Sequence, residues 1–570
     1  MEYIDRIFYR KINPSDFKKL YDIDKPLTGG GQTYLEAAGI SDEKLVDFLS
    51  LAEKKEDPTD PRFIYTFKAY VLGLAPAQCK EIEFAPRHNR ANYKISRQNL
   101  ANKHPAWDDK VNGFPVPNVD PVTKKYTSVG NFVGIIDNLS ILIFRTTYCK
   151  YYASFVDSPT IPAGWPTGIG LEDIFRGDRR GVIIFDRYRV QFVDNKANPF
   201  GPFYKIPLEY STGIAPGKAR NRIVFGAPGT GKSYLLNKEK KALISADEDF
   251  ERVTFHADYS YSQFVGTYKP VTSTSGEICY KFVPGPFMRL LLKAYRNLFI
   301  AYDATYHNFD LTKVKPYLLI VEEINRAHTA AVFGDVFQLL DRDDTGVSEY
   351  EIQPSEEIRE FLCDNLGGNK EDYESIKIPD NMFIWATMNS ADQGVFPMDT
   401  AFKRRWHFQY IGIDDGEFHI DIDPTSGKKT ATENQGGTFQ VAGVNIEWNV
   451  LRRAINARLS NASFRIHEDK LMGPFFIKTM DSARHQILND DQFIDLFCNK
   501  VIMYLYEDAA KTRRQELFKG CKDKDKINRF SYVCNEFRSK GIKIFGDDFL
   551  TSEYAEQKAE RDAAKDEAEK

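Results

Sequence analysis

The sequence predicts an α/β fold: a parallel sheet flanked by helices, followed by a small helical region and preceded by an α+β region. Three observations predict it. Residues 221–225 (NRIVF) read as a strand that passes through a glycine-rich loop into a helical pattern beginning near Ser233. Residues 317–321 (YLLIV) are a continuous apolar run ending in two acids, Glu322 and Glu323. Residues 382–388 (MFIWATM) form a third such run, which ends in Asn389. Unbroken apolar runs of this length, alternating with helical stretches, are what strands buried on both faces require.

The loop between the first strand and its helix is Gly226-Ala227-Pro228-Gly229-Thr230-Gly231-Lys232-Ser233, which fits G-x-x-x-x-G-K-[ST]. Glycines let backbone N–H groups curl around a phosphate, and the helix N-terminus adds favourable partial charge. In this pattern Lys232 reaches the β- and γ-phosphates and Ser233 ligates Mg²⁺. Glu322, where Asp is usual, is expected to help hold the metal, and Glu323 to polarise the attacking water. Asn389, on a strand beside the acidic one, suits orientation of that water or sensing of the γ-phosphate. Further on, Arg404 and Arg405 precede an aromatic strand. Arginine keeps its charge and matches phosphate oxygens, and with Lys232 already in place such residues are expected to act from a neighbouring subunit.

Together these elements resemble the AAA+ superfamily, and within it the McrB-type motors. Four stretches carry the closer likeness. They are Phe255-His256 through Tyr268 and Pro270; Glu322-Glu323-Ile324-Asn325-Arg326-Ala327 with Val332-Phe333-Gly334-Asp335; Met388-Asn389 with Asp392; and Asn456 and Arg458 with His467 to Gly473. The resemblance implies an α/β P-loop AAA+ core with a small helical lid. It also implies a homo-oligomeric ring, a hexamer, with Mg²⁺ and GTP or ATP between subunits; the relationship leans to GTP. Asn389 and Asp392 are the pair the family uses to position water, and the family alignment makes Arg404 the trans-acting finger with Arg405 beside it. Gln393 and Gly394 depart from the family's Arg-Ser, which puts in question an arginine that couples turnover to a partner.

The chain has 570 residues and a formal net charge of −4. The charge is uneven: residues 1–220 carry 31 Lys+Arg against 26 Asp+Glu, and the remainder 46 against 55. Attraction to phosphate backbones is therefore expected first in the N-terminal part. Residues 1–75 read as mainly helical and 80–205 as strands separated by Pro/Gly loops. The basic run 84–107 contains Arg87, Arg90, Lys94, Arg97 and Lys103 without an acid, with Tyr93 and Trp107 interleaved. Basic groups there would neutralise phosphates and an aromatic would stack on a base, or the aromatics simply belong to the core.

Seven scattered cysteines with no CxxC argue against a disulfide framework or structural zinc. No apolar run is long enough for a membrane span, and a reducing cytoplasm fits. No D…ExK arrangement is found, so a separate McrC-like nuclease subunit is expected. The organisation predicted is an N-terminal α+β domain (1–210), a linker (211–222), the nucleotide-hydrolysing core (223–412), a helical lid (413–545) and a charged tail (546–570) expected to be a solvated helix. The leading expectation is the NTP-hydrolysing motor of a restriction or anti-phage system acting on DNA. The alternatives are a MoxR- or dynein-related chaperone remodelling protein complexes, or a nucleotide-dependent scaffold that does not hydrolyse.

Overall fold

The computed structural model describes residues 1–12, 35–37, 42–72, 79–87, 92–96, 122, 138–272, 278–303, 306–389, 394–424 and 426–570. They gather into two compact units, each drawn from three stretches of chain. The first comprises Met1–Ile214, Val265–Lys315 and Asp343–Asn381; the second comprises Ala215–Phe264, Pro316–Arg342 and Met382–Lys570. Among the described residues no helix is long and apolar enough to cross a membrane.

The first unit is built on an eleven-stranded sheet. Its elements are β1 (Tyr3–Lys11), β2 (Leu35–Glu36), helix α1 (Asp42–Phe48), β3 (Glu53–Asp57), β4 (Asp60–Val71), β5 (Cys79–Pro86), β6 (Tyr93–Ser96), β7 (Leu139–Thr146), β8 (Tyr151–Asp157), β9 (Arg180–Ile184), β10 (Tyr188–Phe192) and β11 (Phe200–Lys205). The strand order is β11-β10-β1-β7-β8-β4-β5-β6-β2, with β3 on β4 and β9 on β1. Among the described residues only β4 and β8 pair in parallel; the other neighbours are antiparallel. The helical reading of residues 1–75 is therefore corrected: in that range α1 is the helix among the described residues. The reason is two-sided burial. Phe8 and Ile12 of the β1 region enter one core while Ile4, Ile7 and Tyr9 enter another. Apolar residues at both parities hide the alternation that marks a half-exposed strand.

Later stretches complete this unit: a hairpin of β14 (Gly266–Thr272) and β15 (Ile278–Pro284), helix α3 (Pro286–Ala301), the short ladder of β16 (Tyr302–Asp303) with β17 (Asn308–Phe309), and helix α4 (Glu356–Leu366). Pro286 opens α3, where its missing N–H costs nothing. Phe287, Leu291, Ala294 and Leu298, spaced three and four apart, are all buried.

A buried ion cluster joins these pieces. Arg6, 2% exposed, donates to Asp186 at 2.5 and 3.1 Å and to Asp47 at 2.7 Å. Arg296 on α3 reaches Asp186 at 2.9 Å, Asp47 at 3.3 Å and the Asn365 carbonyl of α4 at 3.1 Å. Burial works against the charge on Asp47, but Arg6, Arg296 and Arg145 more than offset it and hold the carboxyl well below the usual carboxylate range. Removing one member strands a buried charge, at a cost of about 3–5 kcal/mol. Because the folded-state value is depressed, the stability from Asp47 is present above the unfolded value of about 3.9 and is lost as pH falls below it. Urea unfolding of Asp47→Asn should show a deficit that is constant above about pH 5 and shrinks as wild type loses the same contribution in acid.

The second unit holds a five-stranded parallel sheet, order β13-β18-β19-β12-β20. The strands are β12 (Asn221–Gly226), β13 (Phe250–Thr254), β18 (Tyr317–Glu322), β19 (Met382–Asn389) and β20 (His407–Tyr410), with helix α2 (Lys232–Leu243) after β12. The three strands expected from sequence are present, and β19 lies between β12 and β18. Residues 206–217 carry no regular secondary structure, yet Thr212 is buried on Asp380, its N–H and hydroxyl donating at 2.8 and 2.9 Å.

After β20 the lid contains helices α5 (Trp448–Ser460) and α6 (Phe530–Lys540), but also two hairpins, β21 (Phe418–Ile422) with β22 (Lys429–Glu433) and β23 (Thr438–Val441) with β24 (Val444–Glu447). The tail forms helix α7 (Glu553–Glu569), and it is not simply solvated. Tyr554 and Arg561 are buried, and Arg561 pairs with Glu433 at 2.8 Å and Glu447 at 2.6 Å. Two buried positions in an otherwise charged helix leave no apolar stripe to read.

Candidate active site

The second unit brings the motif residues together at the ends of three adjacent strands. β12 ends at Gly226, and the loop turns into α2 through Gly229 (φ 78°) and Gly231 (φ 92°), left-handed conformations that glycine adopts without strain. The side chain of Lys232, 7% exposed, folds back so that its amine donates to the carbonyls of Gly226 and Ala227 at 3.1 and 2.9 Å. Burial pushes its pKa down to about 8, with Glu323 and Glu322 partly opposing.

Facing the loop, β18 ends in Glu322. Its Oε2 accepts from Ser233 Oγ at 3.0 Å and from Thr387 Oγ1 at 2.5 Å, while Arg252 of β13 lies 3.4 Å from its Oε1. Glu323 follows in the left-handed region (φ 54°), rare for a residue with a side chain and often found where geometry serves a site. Its N–H donates to Thr387 Oγ1 at 3.1 Å, and its carboxylate accepts from Asn389 Nδ2 at 2.6 Å. Thr387 thus holds both acids at once. The motifs do not include it, but its sequence signal is a lone hydroxyl in an apolar strand, two residues before Asn389 and so on the same face.

The arginines divide. Arg405 is 8% exposed in its side chain, pairs with Asp341 at 2.8 Å and lies 4.0 Å over the Phe337 ring. Arg404 is 65% exposed, its nearest acid Asp341 at 3.7 Å. Arg404 is therefore turned to solvent, and Arg405 is held in the fold. Asp392 and Gln393 lie outside the described residues.

The lid meets the loop directly. The N–H groups of Gly473 and Phe475 donate to the carbonyls of Pro228 and Gly229 at 2.9 and 2.8 Å. A Cβ on Gly473 would fall on the backbone of Gly229 and Thr230, and one on Gly229 would lie 2.5 Å from the Phe476 nitrogen. The Phe475 ring stacks on Tyr234 of α2 at 5.3 Å. The lid segment is itself fixed to α5: Asn456 Nδ2 donates to the Met472 carbonyl at 2.8 Å and Asn456 Oδ1 accepts from the Met472 N–H at 3.0 Å. Beneath it, fully buried Arg452 pairs with Glu417 and Asp414, both at 2.7 Å. No local sequence pattern signals a crossing between residues so far apart.

Of the basic N-terminal run, Arg90, Arg97, Lys103 and Trp107 lie outside the described residues. Arg87 follows β5 and Lys94 lies on β6. Tyr93 is 2% exposed beneath Arg62, whose guanidinium lies 5.4 Å over its ring, so of the two alternatives it takes the core role.

The loop's glycine cradle, the buried amine and a hydroxyl–carboxylate pair 3.0 Å apart suit a nucleotide's phosphates with a hard cation, which takes oxygen ligands. Gly473→Ala should push the lid off the loop and raise the Kd for a fluorescent nucleotide about tenfold, with circular dichroism unchanged. Phosphates beside Lys232 should restore its charge. Nucleotide binding between about pH 8 and 10 should therefore take up a proton, read by calorimetry in buffers of different ionisation enthalpy.

Comparison with known proteins places this arrangement. The family model described as "AAA domain (dynein-related subfamily)" matches residues 221–406. The chain is 41% identical over 314 residues to "Type II restriction enzyme BsuMI component YdiS" of Bacillus subtilis (strain 168), a match covering 51% of this chain and 80% of that protein. It is 29% identical over 204 residues to "Type IV methyl-directed restriction enzyme EcoKMcrB subunit" of Escherichia coli (strain K12), covering 35% of this chain and 36% of that one. It thus spans about a third of the length of the second relative.

Proposed function

The chain belongs to the McrB-like AAA+ NTP-hydrolysing enzymes of restriction and defence systems, and from that premise we propose that it is the motor subunit of a DNA restriction complex. In this reading it hydrolyses GTP or ATP with Mg²⁺ in a homo-oligomeric ring, a hexamer, and uses the energy to translocate on or remodel DNA. A separate McrC-like nuclease subunit makes the cut. The observation that carries the reading is the paired-acid geometry opposite the glycine loop, with Thr387 holding Glu322 and Glu323 and Asn389 on the second acid.

Each residue then has a task. The backbone of Gly226 through Gly231 cradles the phosphates, and Lys232 turns from the loop carbonyls to the β- and γ-oxygens. Ser233 and Glu322 hold Mg²⁺, which when bound neutralises charge on the phosphate oxygens. Glu323 orients and polarises the attacking water, with Asn389 and Asp392 fixing its line of approach. Arg404 of one subunit reaches the γ-phosphate held by the next, and Arg405, tied to Asp341, sets the backbone that presents it.

Two considerations support the assembly. The relatives are named as a "component" and a "subunit" of restriction enzymes, and this sequence offers no nuclease motif of its own. The basic run with Arg87, Arg90, Lys94, Arg97 and Lys103 is assigned the DNA contact because positive charge in the N-terminal part exceeds negative.

Turnover of the full-length protein, measured with ATP and GTP side by side and with and without duplex DNA, tests the reading. Arg404→Ala should lower turnover on the order of a thousandfold while nucleotide affinity stays within about threefold. Glu323→Gln should bind nucleotide and not turn over. Normal turnover by a monomeric Arg404→Ala protein would refute the ring mechanism. DNA binding that does not weaken with salt would refute the basic contact.

A further inference from the structure

A second concave site lies wholly within the first unit and serves none of the steps above. It is a groove of about 680 Å³, within the range of ligand pockets. One wall is helix α4. Glu357, Glu360, Phe361 and Asp364 recur at three- and four-residue spacing, so they share one face, and all line the groove. The Phe361 ring lies 5.4 Å from Phe282 of β15, which lies 6.4 Å from Tyr268 of β14, giving a continuous aromatic surface beside the acids. Tyr268 is 41% exposed and Tyr280 68%.

Asp173, Asp178 and Tyr9 also line the groove. Tyr9 is 4% exposed, and its hydroxyl has no hydrogen-bond partner among the described residues. Burial raises its pKa, and the nearby Asp173 and Asp178 raise it further, so it remains a phenol at neutral pH. Gly181 keeps the space open, since a Cβ there would strike the Tyr9 ring and hydroxyl at 2.6–2.7 Å. In all, six carboxylates line the groove against Lys44, Arg180 and Lys281; from outside the lining Lys370 reaches Glu360 and Arg176 reaches Asp173, each at 3.5 Å. Such a surface repels phosphate backbones.

We propose that this groove docks an arginine-bearing extended segment of a partner protein. A guanidinium is planar and weakly hydrated, so it lies flat on the Tyr268–Phe282–Phe361 surface while its donors pair with Glu357 and Asp364. A second cation of the same segment is met by Asp173 and Asp178, with the Tyr9 hydroxyl bonding the peptide between them. Charge selects the occupant, and the aromatic wall favours arginine over lysine.

The test uses the full-length protein and a fluorescein-labelled Gly/Ser peptide carrying two arginines, followed by fluorescence anisotropy. Binding should be saturable, absent for the same peptide with two glutamates, and weakened about tenfold or more in Glu357→Gln/Asp364→Asn. Tyr9→Phe keeps the ring and its packing, so it should fold as wild type and still weaken binding about threefold. None of these residues belongs to the hydrolytic site, so turnover without peptide should not change. Equal affinity in wild type and in the Tyr9→Phe and double variants would overturn the proposal. So would spermidine displacing the peptide with higher affinity, which would make the groove a polyamine site.

Discussion

Backbone meets backbone where the lid crosses the phosphate loop, and neither chain has room for a β-carbon at the crossing. Two peptide hydrogen bonds, from Gly473 to Pro228 and from Phe475 to Gly229, fix the distance. Everything behind them keeps that contact in register. Asn456 grips both polar groups of Met472, Arg452 holds the same carbonyl at 3.1 Å, and buried Glu417 and Asp414 hold Arg452. An event at the phosphates is therefore felt by the lid without passing through a flexible side chain, because packed interiors resist small displacements.

The same economy appears on the acidic side of the site. A single hydroxyl, Thr387, donates to Glu322 and accepts from the Glu323 N–H. Glu322 and Glu323 are thus positioned by one atom. The left-handed backbone at Glu323 is what turns the second acid away from the first, towards Asn389. The local strain is supported by the parallel strands on either side.

Legibility in the sequence followed distance along the chain. The glycine loop, the two acids and Asn389 sit at strand ends, and a strand with its terminal residue is a local pattern, so residues 221–225, 317–321 and 382–388 announced both sheet and site. Arg404 and Arg405 were legible as a pair, but only packing on Phe337 and Asp341 separates them. The lid crossing unites residues some 240 positions apart, and no periodicity encodes that. The start of the N-terminal sheet is not legible as strand because the β1 region is apolar at both parities. For Tyr93 the sequence leaves stacking and core both open, and only its burial beneath Arg62 decides for the core.

The interleaving of the two units bears on how the protein comes to exist. Arg6 and Asp186 leave the ribosome long before Arg296, whose guanidinium completes their cluster, and the strand order β13-β18-β19-β12-β20 waits for residues beyond 400. Neither unit can close as synthesis proceeds from the N-terminus; the first lacks a wall until Asn381 has emerged. Asp47 and Asp186 lack one of their arginines until Arg296 emerges, and β12 has neither parallel neighbour until β19 follows Asn381. Vectorial synthesis thus leaves β12 unpaired from Gly226 until Met382 begins its neighbour, which is when long-range sheets are most open to aggregation. It follows that a cut at residue 210 would divide a folding unit rather than separate two.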